Sequence, residues 1–403
     1  MERTITCTIK EEDAGIRVEQ FLRRKSYSTK SLAQLKAGSS STRINGKDCR
    51  LIDRLSIGDL LEVHISEVAC SEKIPATALP LSIVYEDEDI LVVDKPAGLP
   101  MHPSKDNYYY SLANAVMYYY RNCNGFIFRC TSRLDRDTSG LTVIAKHFVS
   151  AGILSSMVKG CGMGFDDNGF SGNGSGSNRS GSNDSGVNSS GNRSIANSGG
   201  KAPGSISGLF MEREYTAIVC GAGIPASGAI DAPLSRKQPC RIYPPDLGAE
   251  PSCPLPERSI ERCVDFENGE RAVTHYRTLE RNDSYSLVSI LLETGRTHQI
   301  RVHMAHLGYP LAGDYLYNPA CRRAAAQAYF ELPAAQISGF QGRQTSVKIP
   351  CISVPESIRG ISRQALHASR LKFTHPISGK IMEFSSPLPE DMQAFGFSQV
   401  RVS

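Results

Sequence analysis

Residues 133–140, RLDRDTSG, combine two carboxylates, two guanidinium groups and a run of small residues. Asp135 and Asp137 have the side chain that can act as a nucleophile or a base toward a substrate. Carboxylates in loops beside buried strands are frequent in active sites, whereas aspartates at turns more often hydrogen-bond only the local backbone. The stretch by itself therefore predicts either a catalytic carboxylate or a turn held by charges.

A second stretch, residues 292–317, reads LETGRTHQIRVHMAHLGYPLAGDYLY. Arg296 and Arg301 supply planar, permanently charged forks that suit a carboxylate or a phosphate, and Gln299 lies between them. We expect a helix over 296–308 that ends at Gly308. The histidine spacing matches no zinc signature, so it favours structural or RNA-contact roles for His298, His303 and His306.

A third stretch, REYTAIVCG at 213–221, alternates like a strand with one apolar face. Tyr215 falls on the same strand face as Ala217 and Val219. A tyrosine in that place is usually part of the core, but its ring can also stack on a nucleic-acid base.

The composition of the 403-residue chain, with 40% hydrophobic and 21% charged residues, is that of a globular protein. The net charge of +4 is mild, but nine basic and two acidic residues give +7 between Gly15 and Arg50, which suits a polyanion. The N-terminus has no signal-peptide pattern, no apolar run would span a membrane, and the twelve cysteines form no Cys-x-x-Cys pair. We therefore expect a cytoplasmic protein without a membrane partner.

The pattern along the chain predicts two units of different size. The pattern of residues 1–68 predicts two short basic helices and a hairpin at Asn45-Gly46. Residues 69–80 are predicted to form a linker. Residues 81–403 are dominated by strands without a strict alternation of strand and helix, which favours an α+β fold. A Gly/Ser/Asn-rich insertion at 160–208 is predicted to be disordered because it has almost nothing apolar to bury.

Five motifs in chain order resemble the RluA-type RNA pseudouridine synthases. They are LVVDKPAGLPMHPS, RLDRDTSGLTVIAK, REYTAIVCG, TGRTHQIRVHMAHLGYPLAGDYLY and RQALHASRLKFTHPISG. The basic N-terminal unit resembles the RNA-binding domain shared with ribosomal protein S-four. The resemblance implies a pseudouridine synthase fold, with a mixed, largely antiparallel central sheet, flanking helices and a small basic α/β domain before it.

The resemblance also implies a reaction. The bond from the uridine ring nitrogen to the sugar breaks, the base rotates, and a ring carbon rejoins the sugar. No redox change occurs, so neither a cofactor nor a metal is expected. In this family the aspartate of the Arg-Leu-Asp turn, here Asp135, is essential. It can attack the anomeric carbon, remove a neighbouring sugar proton or serve as a base at the ring carbon, and the sequence does not choose among these routes.

The resemblance assigns further roles to residues of the motifs. Arg301 corresponds to the cation that keeps Asp135 ionised, with Arg296 as the second candidate. Tyr215 corresponds to the aromatic that stacks on the base, Leu366 to an apolar wall of the pocket, and Arg133 to the side chain that fills the gap left by the flipped base. The expected catalytic residues are Asp135, Arg301 and Tyr215; the expected substrate-binding residues are Arg133, Leu366, Arg296 and Gln299; the expected RNA-binding residues are Arg17, Arg23, Arg24, Lys30, Lys36 and Arg43.

Two other hypotheses stand beside an active synthase. Ser132 occupies a position where the family usually has histidine, and with the insertion this motivates an RNA-binding or ribosome-assembly factor without catalysis. A glycoside hydrolase with Asp135 and Asp137 as its carboxylate pair lacks a second acid with a motif of its own. For a synthase we expect large-subunit ribosomal RNA or transfer RNA as substrate and a monomeric state.

Overall fold

A computed structural model of the chain describes residues 1–37, 40–67, 71, 73–105, 107–160, 209–236, 261–321 and 361–398. The predicted disordered insertion lies outside the described residues from residue 161 onward. Within the described ranges, no helix has both the length and the apolar character needed to cross a membrane.

The N-terminal unit is a small antiparallel sheet covered by two helices. Its elements are β1 (Glu2–Thr8), α1 (Val18–Arg24), α2 (Thr29–Ala37), β2 (Ser41–Ile44), β3 (Lys47–Cys49) and β4 (Leu60–Ser66), in the strand order β1-β4-β2-β3. The predicted hairpin is confirmed: Asn45 and Gly46 join β2 to β3 with φ values of 51° and 77°, the left-handed conformation that Asn-Gly turns favour.

The larger unit is built on a ten-stranded sheet. Its elements are β5 (Ser82–Glu86), β6 (Ile90–Lys95), α3 (Leu112–Tyr119), β7 (Arg129–Cys130), β8 (Ser139–Ala145), α4 (Phe148–Gly160), β9 (Met211–Cys220), β10 (Ser227–Asp231), β11 (Leu234–Arg236), β12 (Arg262–Val264), β13 (Val273–Arg281), β14 (Tyr285–Leu292), α5 (Gln299–His306), β15 (Leu366–Thr374), β16 (Ile381–Ser385) and α6 (Glu390–Gln393). The main strand order is β10-β13-β14-β9-β15-β8-β6-β5, and β11 and β12 pair separately. The predicted α+β fold is confirmed.

One parallel pairing, β15 with β8, interrupts the antiparallel order of the described strands. His367 pairs with Ser139 and Ala368 with Gly140 in this register. Gly140 has a φ of 110°, and a Cβ built there would lie 2.3 Å from the Ala368 carbonyl oxygen. Because only glycine permits this approach, the strand that carries Leu366 can lie directly beside the turn that carries Asp135.

Apolar side chains form a large cluster on each side of the central sheet. One cluster includes Tyr215, Ile300 and Leu366. The other joins Phe21 and Leu32 of the N-terminal helices to side chains of α4 and β8, so the N-terminal unit shares a core with the larger sheet. The division into an RNA-binding domain at 1–68, a linker at 69–80 and a catalytic domain at 81–403 stays a prediction.

The helix expected over 296–308 is shorter in the structure. It begins at Gln299, because His298 precedes it with a left-handed φ of 58°, and it ends at His306 before Gly308. Residues Arg296 to His298 therefore form a turn, which separates Arg296 from the helix face that carries Arg301.

Candidate active site

Asp135 stands in the loop between β7 and β8, where the Thr138 amide donates to the Asp135 carbonyl oxygen at 3.2 Å. Its side chain is 24% exposed, so the carboxylate is partly shielded but open to a substrate. Arg301 donates from Nη1 to the Asp135 Oδ2 at 3.0 Å. The structure therefore brings together the two residues that the sequence predicts as reactive carboxylate and cation.

A second, buried carboxylate holds Arg301 in place. Arg301 donates from Nε and Nη2 to the two carboxylate oxygens of Asp314, at 2.7 and 2.9 Å. Burial lowers the pKa of Arg301, but Asp314 and Asp135 outweigh that effect and raise it above the usual value. The guanidinium is therefore permanently charged and held in a bidentate grip, and its third nitrogen points to Asp135.

Asp314 was not predicted as a site residue, although it lies in the LAGDYLY segment of the fourth motif. The Asp314 carboxylate also accepts the Leu316 and Tyr317 amides, at 2.9 and 3.2 Å. One signal could have pointed to it: an aspartate that directly follows a glycine, a short distance after the HQIR motif. Nothing local shows that this aspartate faces Arg301 instead of solvent.

His298 and Tyr317 form the rim of the site beside Asp135. The Tyr317 hydroxyl accepts the Arg262 amide at 2.9 Å and lies 2.8 Å from the His298 Nδ1. Burial lowers the pKa of His298, with Asp135 opposing it in part, so the ring is neutral at neutral pH. We assign the proton of the ring to Nε2, because the Tyr317 O–H can donate to Nδ1. The Nε2 lies 3.8 Å from the Asp135 Oδ2.

Tyr215 lies on β9 and is buried in the same apolar cluster as Leu134 and Leu366. Burial raises the pKa of the Tyr215 phenol, with Arg213 lowering it and Asp135 raising it, so both charged groups lie near the ring. The phenol therefore stays neutral, and its ring stands close to the carboxylate. The catalytic role expected for Tyr215 and the substrate-binding role expected for Leu366 stay predictions.

Lys95 is a buried cation that was not predicted from the sequence. It lies at the end of β6, and its Nζ donates to the carbonyl oxygens of Pro96, Leu99 and Arg136, each at 2.9 Å. Burial lowers its pKa to about 7, against the attraction of Asp137 and Asp135. Because Arg136 is the residue after Asp135, this lysine ties the β7–β8 loop to the central sheet.

The other charged residues of RLDRDTSG differ in their partners: Arg136 and Asp137 pair with each other, and Arg133 pairs with none of the described residues. Arg136 donates to both carboxylate oxygens of Asp137, each at 2.9 Å. Arg133 is exposed, has no hydrogen-bond partner among the described residues, and lies close enough to His102 to help lower the pKa of that ring, which burial lowers most. The charge of Asp137 is therefore paired with Arg136 within the loop, whereas the Arg133 guanidinium is accessible to a ligand.

Arg296 and Gln299 do not face Asp135 in the way that Arg301 does. Arg296 pairs with Glu270 at 2.5 Å and donates to the Arg271 carbonyl oxygen at 3.2 Å. Gln299 is buried; its amide nitrogen donates to Val273 and Thr274, and its amide oxygen accepts the Thr294 hydroxyl and the Arg296 amide. Of the two cations predicted to pair with Asp135, the geometry selects Arg301. The substrate-binding roles expected for Arg296 and Gln299 stay predictions.

The predicted RNA-binding residues are exposed on the N-terminal unit. Several of them make ion pairs in which the cation is about half exposed: Arg23 and Lys36 with Glu19, Arg24 with Asp13, and Arg43 with Asp48. Such pairs contribute little to stability, so phosphates can compete for these cations. Arg17 and Lys30 make no ion pair with the described residues.

One group of side chains, Asp87, Asp89 and His375, has its ligand atoms within 4.8 Å of one another, as a metal site would. These atoms already bond within the protein: His375 to Asp87 at 2.9 Å, and Arg3 to Asp89 at 2.9 Å. Asp87 and Asp89 lie in the β5–β6 turn and His375 directly follows β15, whereas Asp135 lies in the β7–β8 loop and Arg301 on α5. Of the motif histidines, His303 bonds the Thr274 hydroxyl and the Ala232 carbonyl oxygen.

Comparison with known proteins gives the class of this site. A family model described as RNA pseudouridylate synthase matches residues 89–162 and 204–306. The chain is 31% identical to the uncharacterized RNA pseudouridine synthase YjbO of Bacillus subtilis strain 168, over 93% of this chain and 96% of that protein. The chain belongs to the RNA pseudouridine synthase family, and its reaction is the isomerisation of uridine in RNA to pseudouridine.

Two further similarities extend the comparison. The chain is 28% identical to the ribosomal large subunit pseudouridine synthase D of Nitrosomonas europaea, over 98% of this chain and 87% of that protein. The solved structure of human RNA pseudouridylate synthase domain containing 1 is 20% identical, with a TM-score of 0.44, and covers 78% of this chain and 85% of that chain. The predicted family resemblance is confirmed, and the reaction belongs to a different class from glycoside hydrolysis.

Proposed function

We propose that this enzyme converts specific uridines of large-subunit ribosomal RNA to pseudouridine, with Asp135 as the catalytic carboxylate. The proposed substrate is supported by the relatives that match nearly the whole chain and are named for the large ribosomal subunit, such as those of Nitrosomonas europaea and Escherichia coli strain K12. The observation that carries the catalytic assignment is the chain of contacts from Asp314 through Arg301 to Asp135.

The Arg301 guanidinium donates a hydrogen bond to Oδ2 of Asp135 and so directs the carboxylate. A carboxylate that is partly open can attack the anomeric carbon or take a proton from the neighbouring sugar carbon. The paired oxygen, Oδ2, contacts Arg301, so Oδ1 is the atom that is free to reach the sugar. Both routes need this same placement, and the geometry supports either.

The pocket walls suit a uracil ring that has left the RNA helix. Tyr215 offers an aromatic face beside the carboxylate, and Leu366 closes the pocket from the adjacent strand β15. Stacking of a base on an aromatic ring stabilises a bound nucleotide by about 1–3 kcal/mol. Arg133, exposed and without a partner among the described residues, is proposed to occupy the gap that the flipped base leaves.

The basic N-terminal unit is proposed to hold the RNA backbone through its exposed arginines and lysines. Because its core continues into the larger sheet, RNA bound there would have a set position relative to Asp135. The cytoplasmic location and the monomeric state stay predictions.

The test is a map of pseudouridines in ribosomal RNA from a strain that lacks the gene, compared with its parent. We expect at least one modified position to disappear and to return when the wild-type gene is supplied. The Asp135→Asn variant should fold and bind RNA but restore nothing, whereas Asp137→Asn, which removes a carboxylate two residues away that already pairs with Arg136, should restore it. An unchanged map would favour RNA binding without catalysis.

A further inference from the structure

Arg213 is a buried arginine that forms no ion pair with a carboxylate of the described residues. Its side chain belongs to β9, the residue is 7% exposed, and neither Nε nor Nη2 has a hydrogen-bond partner among the described residues. The other buried arginines of the described residues differ: Arg301 binds Asp314, and Arg363 binds both oxygens of Asp391 at 2.6 and 2.8 Å. The neighbouring Glu214 bonds Ser289 and Arg370 instead.

The guanidinium of Arg213 lies near the Tyr215 phenol, whose pKa it lowers against the larger effect of burial. Arg213 precedes Tyr215 by two residues, so both side chains point to the same face of β9. A Cβ built at Gly295 would lie 3.2 Å from the Arg213 Nη1 and 3.4 Å from Nη2, so the guanidinium rests against the loop that leads to His298 and α5. This is the side of the site opposite the strand that carries Leu366.

A buried cation without a partner costs free energy, so proteins rarely keep one unless a ligand completes it. We propose that Arg213 binds a carbonyl oxygen of the target uracil and stabilises the negative charge that the ring acquires as its bond to the sugar breaks. This inference rests on the proposed function, in which the uracil ring stacks on Tyr215.

The chemistry of the step requires such a group. When the bond between N1 and C1′ breaks, its electron pair leaves with uracil and is shared with the two ring carbonyl oxygens. C5 then forms the new bond to C1′, the proton that C5 loses is balanced by a proton gained at N1, and no co-reactant is consumed. A fixed cation at a carbonyl oxygen stabilises the charge that develops in the first part of this sequence.

The position of Arg213 favours a ring carbonyl over an RNA phosphate as its ligand. Phosphates remain at the surface, where the exposed Arg133 and the N-terminal cations are available. A side chain as buried as Arg213, beside the stacking tyrosine, is reached by the part of the nucleotide that enters deepest, which is the base.

The first experiment compares Arg213→Met with a matched control, Arg370→Met, which removes an arginine of β15 that pairs with Glu383. In a single turnover at saturating RNA, Arg213→Met should slow pseudouridine formation about 10²- to 10³-fold, the usual effect of losing one charge-stabilising donor, with unchanged RNA affinity. The control should retain its rate. A wild-type rate in Arg213→Met overturns the inference, as does weaker RNA binding with a smaller salt dependence, which would indicate a phosphate contact.

The second measurement is thermal unfolding without RNA, and it separates a catalytic role from a structural one. Arg213→Met removes an uncompensated buried charge, so its Tm should rise above that of the wild type. Arg363→Met leaves Asp391 without its partner, so its Tm should fall. A lower Tm or a failure to fold for Arg213→Met contradicts the inference.

The third measurement replaces the target uridine by 2-thiouridine or 4-thiouridine in the RNA. Sulfur accepts hydrogen bonds poorly, so the wild type should slow on one of the two, and Arg213→Met should show no further loss on that substrate. Equal loss in both proteins overturns the inference.

The proposed function is tested separately by the unmodified RNA. If the wild type is active and Asp135→Asn is not, but Arg213→Met is fully active, only the inference fails. If the wild type forms no pseudouridine, both fail.

Discussion

Asp314 binds Arg301 through both carboxylate oxygens, at 2.7 and 2.9 Å, and leaves only Nη1 of that arginine to reach Asp135. Three side chains from separate segments thus form one line of contacts, with the outermost carboxylate exposed to the substrate. Asp314 is fully buried, and among the described residues its carboxylate bonds only Arg301 and backbone amides, so its part is to position the cation.

The first prediction concerns this positioning residue. Asp314→Asn keeps the shape but leaves Arg301 as a buried cation with one partner fewer, so it should lower the free energy of unfolding by about 3–5 kcal/mol. It should also lower the catalytic rate, because Arg301 is no longer held toward Asp135. Urea unfolding and single-turnover rates measure the two effects.

The control for this prediction is Asp391→Asn, which weakens the bidentate pair with Arg363 at a more exposed carboxylate. We expect a clearly smaller loss of stability, since solvent screens that pair. Equal losses in the free energy of unfolding would contradict the prediction that the buried Asp314 carboxylate contributes more to stability than Asp391.

The second prediction concerns the pH dependence of stability through Lys95, whose pKa burial lowers to about 7. Between that pH and the usual pKa of lysine, near 10.4, the unfolded chain binds one proton more than the folded chain. Raising the pH in this window therefore favours the folded state. The unfolding free energy of the wild type, minus that of Lys95→Met, should rise by up to about 1.4 kcal/mol per pH unit.

Chemical unfolding of the two proteins at several values between pH 7 and pH 10 measures this difference. Subtracting the Lys95→Met values removes the contribution of all other titrating groups. A difference that does not change with pH over this window would show that Lys95 keeps its proton in the folded enzyme, through its three carbonyl contacts.

The third prediction concerns the grip of the N-terminal unit on RNA. Removing residues 1–68 would expose part of the shared core, so point substitutions are the cleaner test. Arg17→Gln and Lys30→Gln should each weaken RNA binding and reduce the slope of log affinity against log salt by about 0.7–0.9 if the residue contacts one phosphate.

Lys380→Gln, at an exposed lysine between β15 and β16, serves as the charge-matched control and should leave the slope unchanged. Binding of the target RNA is measured at a series of salt concentrations. Unchanged slopes for Arg17→Gln and Lys30→Gln would argue that these cations face solvent and that RNA binds elsewhere.

Much of the local structure could be predicted from the residues. The alternation in REYTAIVCG predicted the strand that the structure shows as β9, and Asn45-Gly46 predicted its hairpin, since both signals are local. The start of α5 was predicted three residues too early, because the left-handed conformation of His298 is imposed by its surroundings and not by its residue type.

The sequence by itself determined the family, the identity of the reactive carboxylate as a prediction and the α+β character, because motifs and periodicity are properties of short segments. Only the tertiary structure decided which charges are partners. Arg301 rather than Arg296 reaches Asp135, Asp314 fastens Arg301, and Lys95 holds the loop. These pairings join segments far apart in the chain, and the register of the central sheet sets them. The same cause leaves Arg213 on β9 with its Nε and Nη2 buried and without a hydrogen-bond partner among the described residues.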